Sequence, residues 1–404
     1  MRTRTIAGCM LTFFLLSAAA GCAPEGADTT GEGVRSSGEG TGAGEQPAGP
    51  DGAQSPAEAW RLEDVRLDAS DGISVLVLHD MEGLSGQNDW RTFDHEMPQY
   101  ARGQELLVAD VNAVVEGLFA GGATEVHVVD GHGSGNPEPD VRGDLLDARA
   151  RQVFRDEPFD TYFDLPETSS YDAVAVVGMH SKTGSGGFAA HTFTLGIDLR
   201  INGRPITETE LVALSWGRAG VPVIFGSGDD RLAADLQTMP WIEFVTVKRA
   251  TSASTAELLP VEDARAALTE AARRAVENLA SALVMKVSTP IRGTLRAVPP
   301  ASLTMLEGVP GLDYERGADD RGAVSFTTDD LRATYDGLTA LVGVATGGYT
   351  SVLREVLRTH PAGDSLFFAY GLAVMERWLD VESDRWRPDA EPTPAAPTRH
   401  HGYR

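Results

Sequence analysis

The chain has 404 residues, room for one large or two ordinary domains, and 42% of them are apolar, as in globular proteins. A formal charge of −25 and a pI near 4.7 exclude nucleic acid and anionic membrane surfaces as partners held by charge, because both would repel this surface.

Residues 1–22 carry Arg2 and Arg4, a mostly apolar run from Ile6 to Ala20, then Gly21-Cys22. The run is too short to span a bilayer, and its charged start and small-residue end fit a secretory signal peptide. Its end resembles a bacterial lipoprotein signal, which implies cleavage before Cys22, a lipid on that thiol and an extracytoplasmic, membrane-anchored address. The two cysteines are Cys9 and Cys22, so the folded body has no disulfide. Residues 23–57 are mostly Gly, Glu, Ser, Thr, Ala and Pro and are expected to form a disordered tether. Residues 385–404, ending in His400, His401, Gly402, Tyr403 and Arg404, are expected to be a frayed tail.

The body spans 58–384. Its first clear element is the apolar run starting at Ile73, suited to a strand buried on both faces, which stops at Asp80-Met81-Glu82-Gly83. Asp80 and Glu82 stand two apart, so in extended geometry both point to one side of the chain. His79 then faces the other way. Tyr100 to Phe119 reads as an amphipathic helix with Leu107, Val111, Val114, Val115 and Leu118 on one face. A strand at 126–129 follows, with His127 packed inside it, and ends in Asp130-Gly131-His132. Strand, helix and strand imply a parallel pair with a right-handed crossover.

Beyond a polar loop to Asp140 another helical stretch is expected, then a strand at 173–177 ending in Gly178-Met179-His180. A glycine-rich loop leads to His191. Asn202-Gly203 predicts a hairpin turn. Glu210 to Trp216 predicts a helix, Val221 to Phe225 and Phe244 to Lys248 two strands, and Val261 to Leu283 a long helix. Lys248 reads as a surface lysine ahead of a further charge near the site, and His95 and His360 read as solvated. After Pro290 short strands are expected near 294–298 and 323–327, then helices over 329–342 and 365–379. The pattern predicts an α/β protein: a three-layer α/β/α part with a mostly parallel central sheet over about 58–285, and a smaller C-terminal α+β part over about 286–384.

Three strands that end in carboxylates or imidazoles carry the chemistry. Asp80, Glu82, His132, His180 and a later glutamate make a mixed donor set that suits zinc or a similar divalent ion, with one carboxylate able to bridge two metals. Taken in order, Asp80-Met-Glu-Gly-Leu-Ser-Gly, Asp130-Gly-His132, Gly178-Met-His180, His191-Thr-Phe, Asn202-Gly-Arg-Pro, Glu208 and Gly228-Asp-Asp-Arg231 resemble the zinc-dependent D-aminopeptidases of peptidase family M55. The resemblance covers roughly residues 73–380.

It implies two Zn2+ ions, with Asp80 bridging them, Glu82 and His180 completing one site, and His132 and Glu208 the other. Glu210 competes with Glu208 for the last role. It further implies His191 as the active-site histidine, short peptides with a D-amino-acid N-terminus as substrates, and a ring-like homo-oligomer, a decamer of two pentamers. The leader and tether depart from the family's cytoplasmic type member, and the extracytoplasmic address makes peptides from peptidoglycan turnover the expected substrates. Two other readings stay open: another binuclear metal hydrolase acting on amides or phosphoesters, and an inactive metal-binding or peptide-binding lipoprotein.

Overall fold

A computed structural model describes residues 59–67, 70–95, 97–298, 301–317 and 322–383. The expected signal peptide, tether and tail, with Cys22, His400 and His401, lie outside the described residues. The strands in the first half are β1 (Trp60–Asp64), β2 (Ser74–His79), β3 (Glu125–Asp130), β4 (Arg151–Gln152), β5 (Ala173–Val177), β6 (Ile197–Ile201) and β7 (Arg204–Pro205). Those in the second half are β8 (Val223–Asp229), β9 (Glu243–Ser252), β10 (Thr255–Leu258), β11 (Leu283–Val287), β12 (Ile291–Ala297), β13 (Asp313–Glu315) and β14 (Ala323–Thr328). The helices are α1 (Tyr100–Ala120), α2 (Asp164–Thr168), α3 (Glu208–Ala219), α4 (Asp230–Asp235), α5 (Val261–Glu277), α6 (Leu331–Leu357) and α7 (Gly363–Glu382).

Strand alternation decides the layering. Val75 and Val77 of β2 and Ala173, Ala175 and Val177 of β5 pack into one apolar cluster with α1 and α5. Leu76, Leu78, Val174 and Val176 pack into a second cluster with α3, α6 and a second sheet. The strand is therefore buried on both faces, as its unbroken apolar run requires. The central sheet has seven strands in the order β10-β9-β8-β5-β2-β3-β4, parallel throughout except for β10. From β2 the chain crosses to β3 on one side and later to β5 on the other. This reversal of direction leaves a crevice at the carboxyl ends of β2 and β5, the usual ligand position in such sheets.

The second sheet is antiparallel, in the order β13-β14-β12-β6-β7. It joins β6, from the middle of the chain, to β12, so it is built from both sides of residue 285. The hairpin between β6 and β7 turns at Asn202 (φ 51°) and Gly203 (φ 78°), the paired positive values that an Asn-Gly turn provides.

Several boundaries differ from expectation. Residues 141–163 are mostly irregular, and among the described residues the helix between β3 and β5 is the short α2. The stretch to Leu283 breaks after Glu277, and Leu283–Val287 is β11, paired with β1. Apolar spacing could not separate helix from strand there.

Candidate metal centre

β2 pairs in parallel with β3 on one side and β5 on the other, with His79 opposite Asp130 and Val177. The residues just past these strands, Asp80, His132 and His180, therefore meet at one edge. Two glycines let the loops touch. A Cβ on Gly83 would lie 2.0 Å from Met179 O, and one on Gly178, whose φ is +75°, would lie 2.4 Å from Asp80 O. The backbone bonds Asp80 N to Val177 O (2.8 Å) and Gly83 N to Gly178 O (2.7 Å) tie the loops together.

The five expected ligands converge in two groups that share Asp80. Asp80, Glu82 and His132 form one, and Asp80, His180 and Glu208 the other; within each, the ligand atoms lie within 4.8 Å of one another. His132 Nε2 is 3.3 Å from Glu82 Oε1, and His180 Nε2 is 3.3 Å from Asp80 Oδ2 and 3.4 Å from Glu208 Oε1. Asp80 is thus common to both, as the resemblance implied, and a third group of Glu82, His180 and His191 brings Glu82 to His180, the pair that the resemblance assigned to one ion.

Glu208 is chosen over Glu210 by helix capping. Thr207 is the N-cap of α3, and Glu210 closes its capping box, receiving Thr207 N (2.9 Å) while its own N–H reaches Thr207 Oγ1 (3.0 Å). Thr238 Oγ1 holds the other oxygen of Glu210 at 2.7 Å. Glu208 is left to face the cluster, where it accepts from Phe193 N (2.6 Å) and the Tyr162 hydroxyl (2.5 Å).

Outer partners set the ring orientations. His132 Nδ1 lies 2.8 Å from Asp140 Oδ2, which leaves Nε2 for the cluster. Asp140 also accepts from Ser134 Oγ (2.5 Å) and the Tyr100 hydroxyl. His180 Nδ1 bonds Ser181 O (3.1 Å), and His191 Nδ1 bonds Ala189 O (2.7 Å). The His191 ring stacks on His180 at 3.8 Å, and its Nε2 is 3.9 Å from Glu82 Oε1. Ala189 and Phe193, either side of His191, hold positive φ without being glycine, a strained backbone of the kind kept at functional loops. Asp229 secures this loop by accepting from Phe188 N (2.8 Å) while capping α4.

The electrostatics fit a cation. Burial opposes charge on every member, yet the carboxylates raise the pKa values of His132 and His180 well above the usual value for histidine. Burial raises Glu82, but His132 and His180 outweigh it and hold the carboxyl at about 2. Burial and then the neighbouring Glu82 push Asp80 up. Three carboxylates with side chains at most 6% exposed would be costly unless positive charge joins them. Oxygen and imidazole donors in this number suit zinc or a similar divalent ion. His191 behaves oppositely, lowered to about 4 by burial and then by the charge of His180, so it is neutral near pH 7.

Two residues of the site escaped the sequence reading. Asp140 ends the irregular loop after the Asp130-Gly131-His132 motif, and Tyr162 sits in an irregular segment away from the motifs. Lys248 is fully buried rather than a surface residue, because β9 continues past it to Ser252. Its ammonium donates to Glu82 O and to Gln87 Oε1 (2.8 Å), and lies over the Phe188 ring. His79 is buried with neither ring nitrogen hydrogen-bonded among the described residues, its Nδ1 lying 3.9 Å from Asp130 Oδ1; His95 is partly covered by Tyr100, and His127 bonds the Tyr171 hydroxyl at 2.7 Å.

The profile of the D-aminopeptidase family, peptidase family M55, matches residues 73–340. A D-aminopeptidase of Bacillus subtilis strain 168 is 27% identical over 280 residues, covering 66% of this chain and 95% of that relative. The solved structure of the Zn-dependent D-aminopeptidase DppA from Bacillus subtilis, described as a self-compartmentalizing protease, is similar with a TM-score of 0.61 at 24% identity, over 68% of this chain and 98% of that one. At that identity the likeness concerns the fold.

Proposed function

Because the chain belongs to the D-aminopeptidase family, peptidase family M55, we propose that it is a zinc-dependent aminopeptidase that releases D-amino acids from the N-termini of short peptides. Asp80, Glu82, His132, His180 and Glu208 would hold two zinc ions. The observation that carries this reading is the sharing of Asp80 by two ligand groups, with His191 stacked on His180 beside them. A binding protein without activity has no use for a second, neutral imidazole held against a ligand pair.

Zinc held by these residues would supply Lewis-acid polarisation of the peptide carbonyl and a water acidified toward neutrality. The chain's own residues do the rest. With Nδ1 donating to Ala189 O, His191 keeps an Nε2 lone pair on the side of Glu82, where it can take the proton of the attacking water. The same proton passes to the leaving amine as the C–N bond breaks. Asp140 and Ser181 O orient the two ligating imidazoles, and Lys248 holds the backbone that carries Glu82. The relatives support this substrate class, since those described above are D-aminopeptidases. The description of one of them as self-compartmentalizing supports a homo-oligomer here. The leader supports a lipid-anchored, extracytoplasmic enzyme acting on peptides of cell-wall origin.

The test is zinc content together with hydrolysis of D-Ala-D-Ala and L-Ala-L-Ala. About two zinc ions per chain and D-selective cleavage are expected; His132→Ala loses metal and activity, whereas His191→Ala keeps metal and loses at least about 100-fold in kcat. Vigorous cleavage of the L-peptide with none of the D-peptide refutes the substrate assignment, and absence of bound zinc refutes the centre.

A further inference from the structure

His191 sits in a loop that bends sharply on both sides of it. Ala189 (φ 52°) and Phe193 (φ 64°) lie in the left-handed region although neither is glycine, and such a backbone persists only where its surroundings hold it. Before His191 the ties involve no ligand side chain: Phe188 N donates to Asp229 Oδ2 (2.8 Å), Ala189 N to Ala253 O (2.8 Å) and His191 N to Ser181 O (3.0 Å). After His191 the chain turns back on itself, with Thr194 N donating to Thr192 O at 2.9 Å. This half is tied to the body by a short bond from Phe193 N to Glu208 Oε1, 2.6 Å, beside a longer one from Thr192 Oγ1 to Ile206 O, 3.3 Å.

Glu208 suits the task. An ionised carboxylate is the stronger kind of acceptor for a backbone N–H, and this one is buried. Its other oxygen is also engaged, since the Tyr162 hydroxyl donates to Oε2 at 2.5 Å, so the carboxylate cannot turn away from Phe193 without giving up a bond. Tyr162 is fixed in turn: its carbonyl accepts from Ser215 Oγ of α3 (2.6 Å), and its N–H donates to Asp160 Oδ1 (2.9 Å), whose second oxygen accepts from the Tyr335 hydroxyl of α6. Glu208 Oε1 also lies 3.4 Å from Nε2 of His180, the ring on which His191 stacks. One carboxylate therefore meets both the ring under His191 and the backbone two residues beyond it.

We propose that Glu208 has a second task besides ligation: through Phe193 N it latches the His191 loop in its strained conformation, with Tyr162 as the positioning residue that keeps the latch turned toward the loop. The loop is then set before any metal arrives, and loss of Glu208 costs His191 its position as well as costing the centre a ligand. The inference rests on the roles given to Glu208 and His191 above. The competing account is ring packing, because Phe193 stands edge-on to Tyr162 at 6.0 Å and to Tyr335 at 5.7 Å. Substitutions at Glu208 leave those rings in place.

The experiment uses protein stripped of metal by a chelator, so that ligation plays no part, and compares wild type with Glu208→Ala and Glu208→Gln. Glutamine keeps an oxygen for Phe193 N and turns its amide N–H toward the Tyr162 hydroxyl, which can accept as well as donate. Amide hydrogen exchange of residues 188–194 and carbethoxylation of His191 by diethyl pyrocarbonate, both read by mass spectrometry, report the loop and its imidazole. Exchange in β5 and β8 and the thermal midpoint report folding. Glu208→Ala is expected to exchange about tenfold faster in the loop and to modify His191 faster, whereas Glu208→Gln stays within about twofold of wild type on both measures. If Glu208→Ala fails to fold, Tyr162→Phe decides, because it frees the carboxylate to rotate and is expected to speed loop exchange by about threefold or more. Wild-type rates in folded Glu208→Ala on either measure, equal rates in the glutamine and alanine variants, or wild-type rates in Tyr162→Phe where that variant decides overturn the inference. Zinc-loaded wild-type protein that cleaves no D-peptide overturns the aminopeptidase reading instead, while the exchange rates still decide the latch.

Discussion

At the scale of single residues, the centre depends on groups that lend position rather than chemistry. Lys248 is the clearest. Burial lowers its ammonium to about 7, and the nearby Asp229 and Glu82 only partly offset this. The unfolded lysine titrates near 10.5. Between about pH 7 and 10.5 the unfolded chain therefore binds the proton that the folded chain has released, and wild-type stability rises with pH across that window. Lys248→Met removes this dependence and strips Glu82 O and Gln87 Oε1 of their donor, at a cost of about 1–3 kcal/mol at pH 7. Denaturant melts of both proteins at pH 7 and pH 9.5 check it: the wild-type advantage widens at the higher pH, and equal curves would refute the role. The sequence placed Lys248 after the end of a strand. Its burial was not legible because the strand extends four residues farther than its apolar run.

At the scale of elements, strand ends and one helix start set the ligand geometry. β2, β3 and β5 were legible as apolar runs that end in ligand residues, and their boundaries came within about a residue of those found. The helix bearing Glu208 was expected to begin two residues later, at Glu210, and its start matters more than its length. Thr207 and Glu210 form a capping box, a signal that local sequence does carry, and it separates the structural glutamate from the ligating one. Thr207→Ala is expected to cost about 1–2 kcal/mol of stability and to weaken zinc binding, because Glu208 occupies the first position of the helix that the cap fixes. Chemical denaturation and a zinc titration measure the two effects. A loss of stability with unaltered zinc affinity would detach the cap from the site. Residues 141–163 were not legible as elements, since their few apolar residues follow neither period, yet they deliver Tyr162 to Glu208.

At the scale of the whole molecule, the second sheet draws β6 from mid-chain and β12 and β14 from the later third, so the change of texture after Pro290 marks no division in space. α6 and α7 extend the chain past the family-matched region and return it to the His191 loop. If the leader directs lipidation, Cys22→Ser moves the protein from the membrane fraction to the soluble fraction while zinc content and D-dipeptide cleavage stay unchanged. Fractionation followed by assay checks this, and an unchanged distribution refutes the anchor.

By itself the sequence determined the donor types, their order and the strands they follow, because a buried parallel strand announces itself as an unbroken apolar run and the polar residue at its end is chemically conspicuous. It also determined that the body has no disulfide, since both cysteines precede it. Only the tertiary structure decided which of these donors lie within reach of one another around Asp80. The same holds for Glu210 as a cap, Lys248 as a buried strut and Trp378 against His191. The physical reason is common to these cases. Ligand pairing, burial and ring contacts depend on which distant segments pack together, and the periodicity of a segment records which of its faces is covered without recording what covers it.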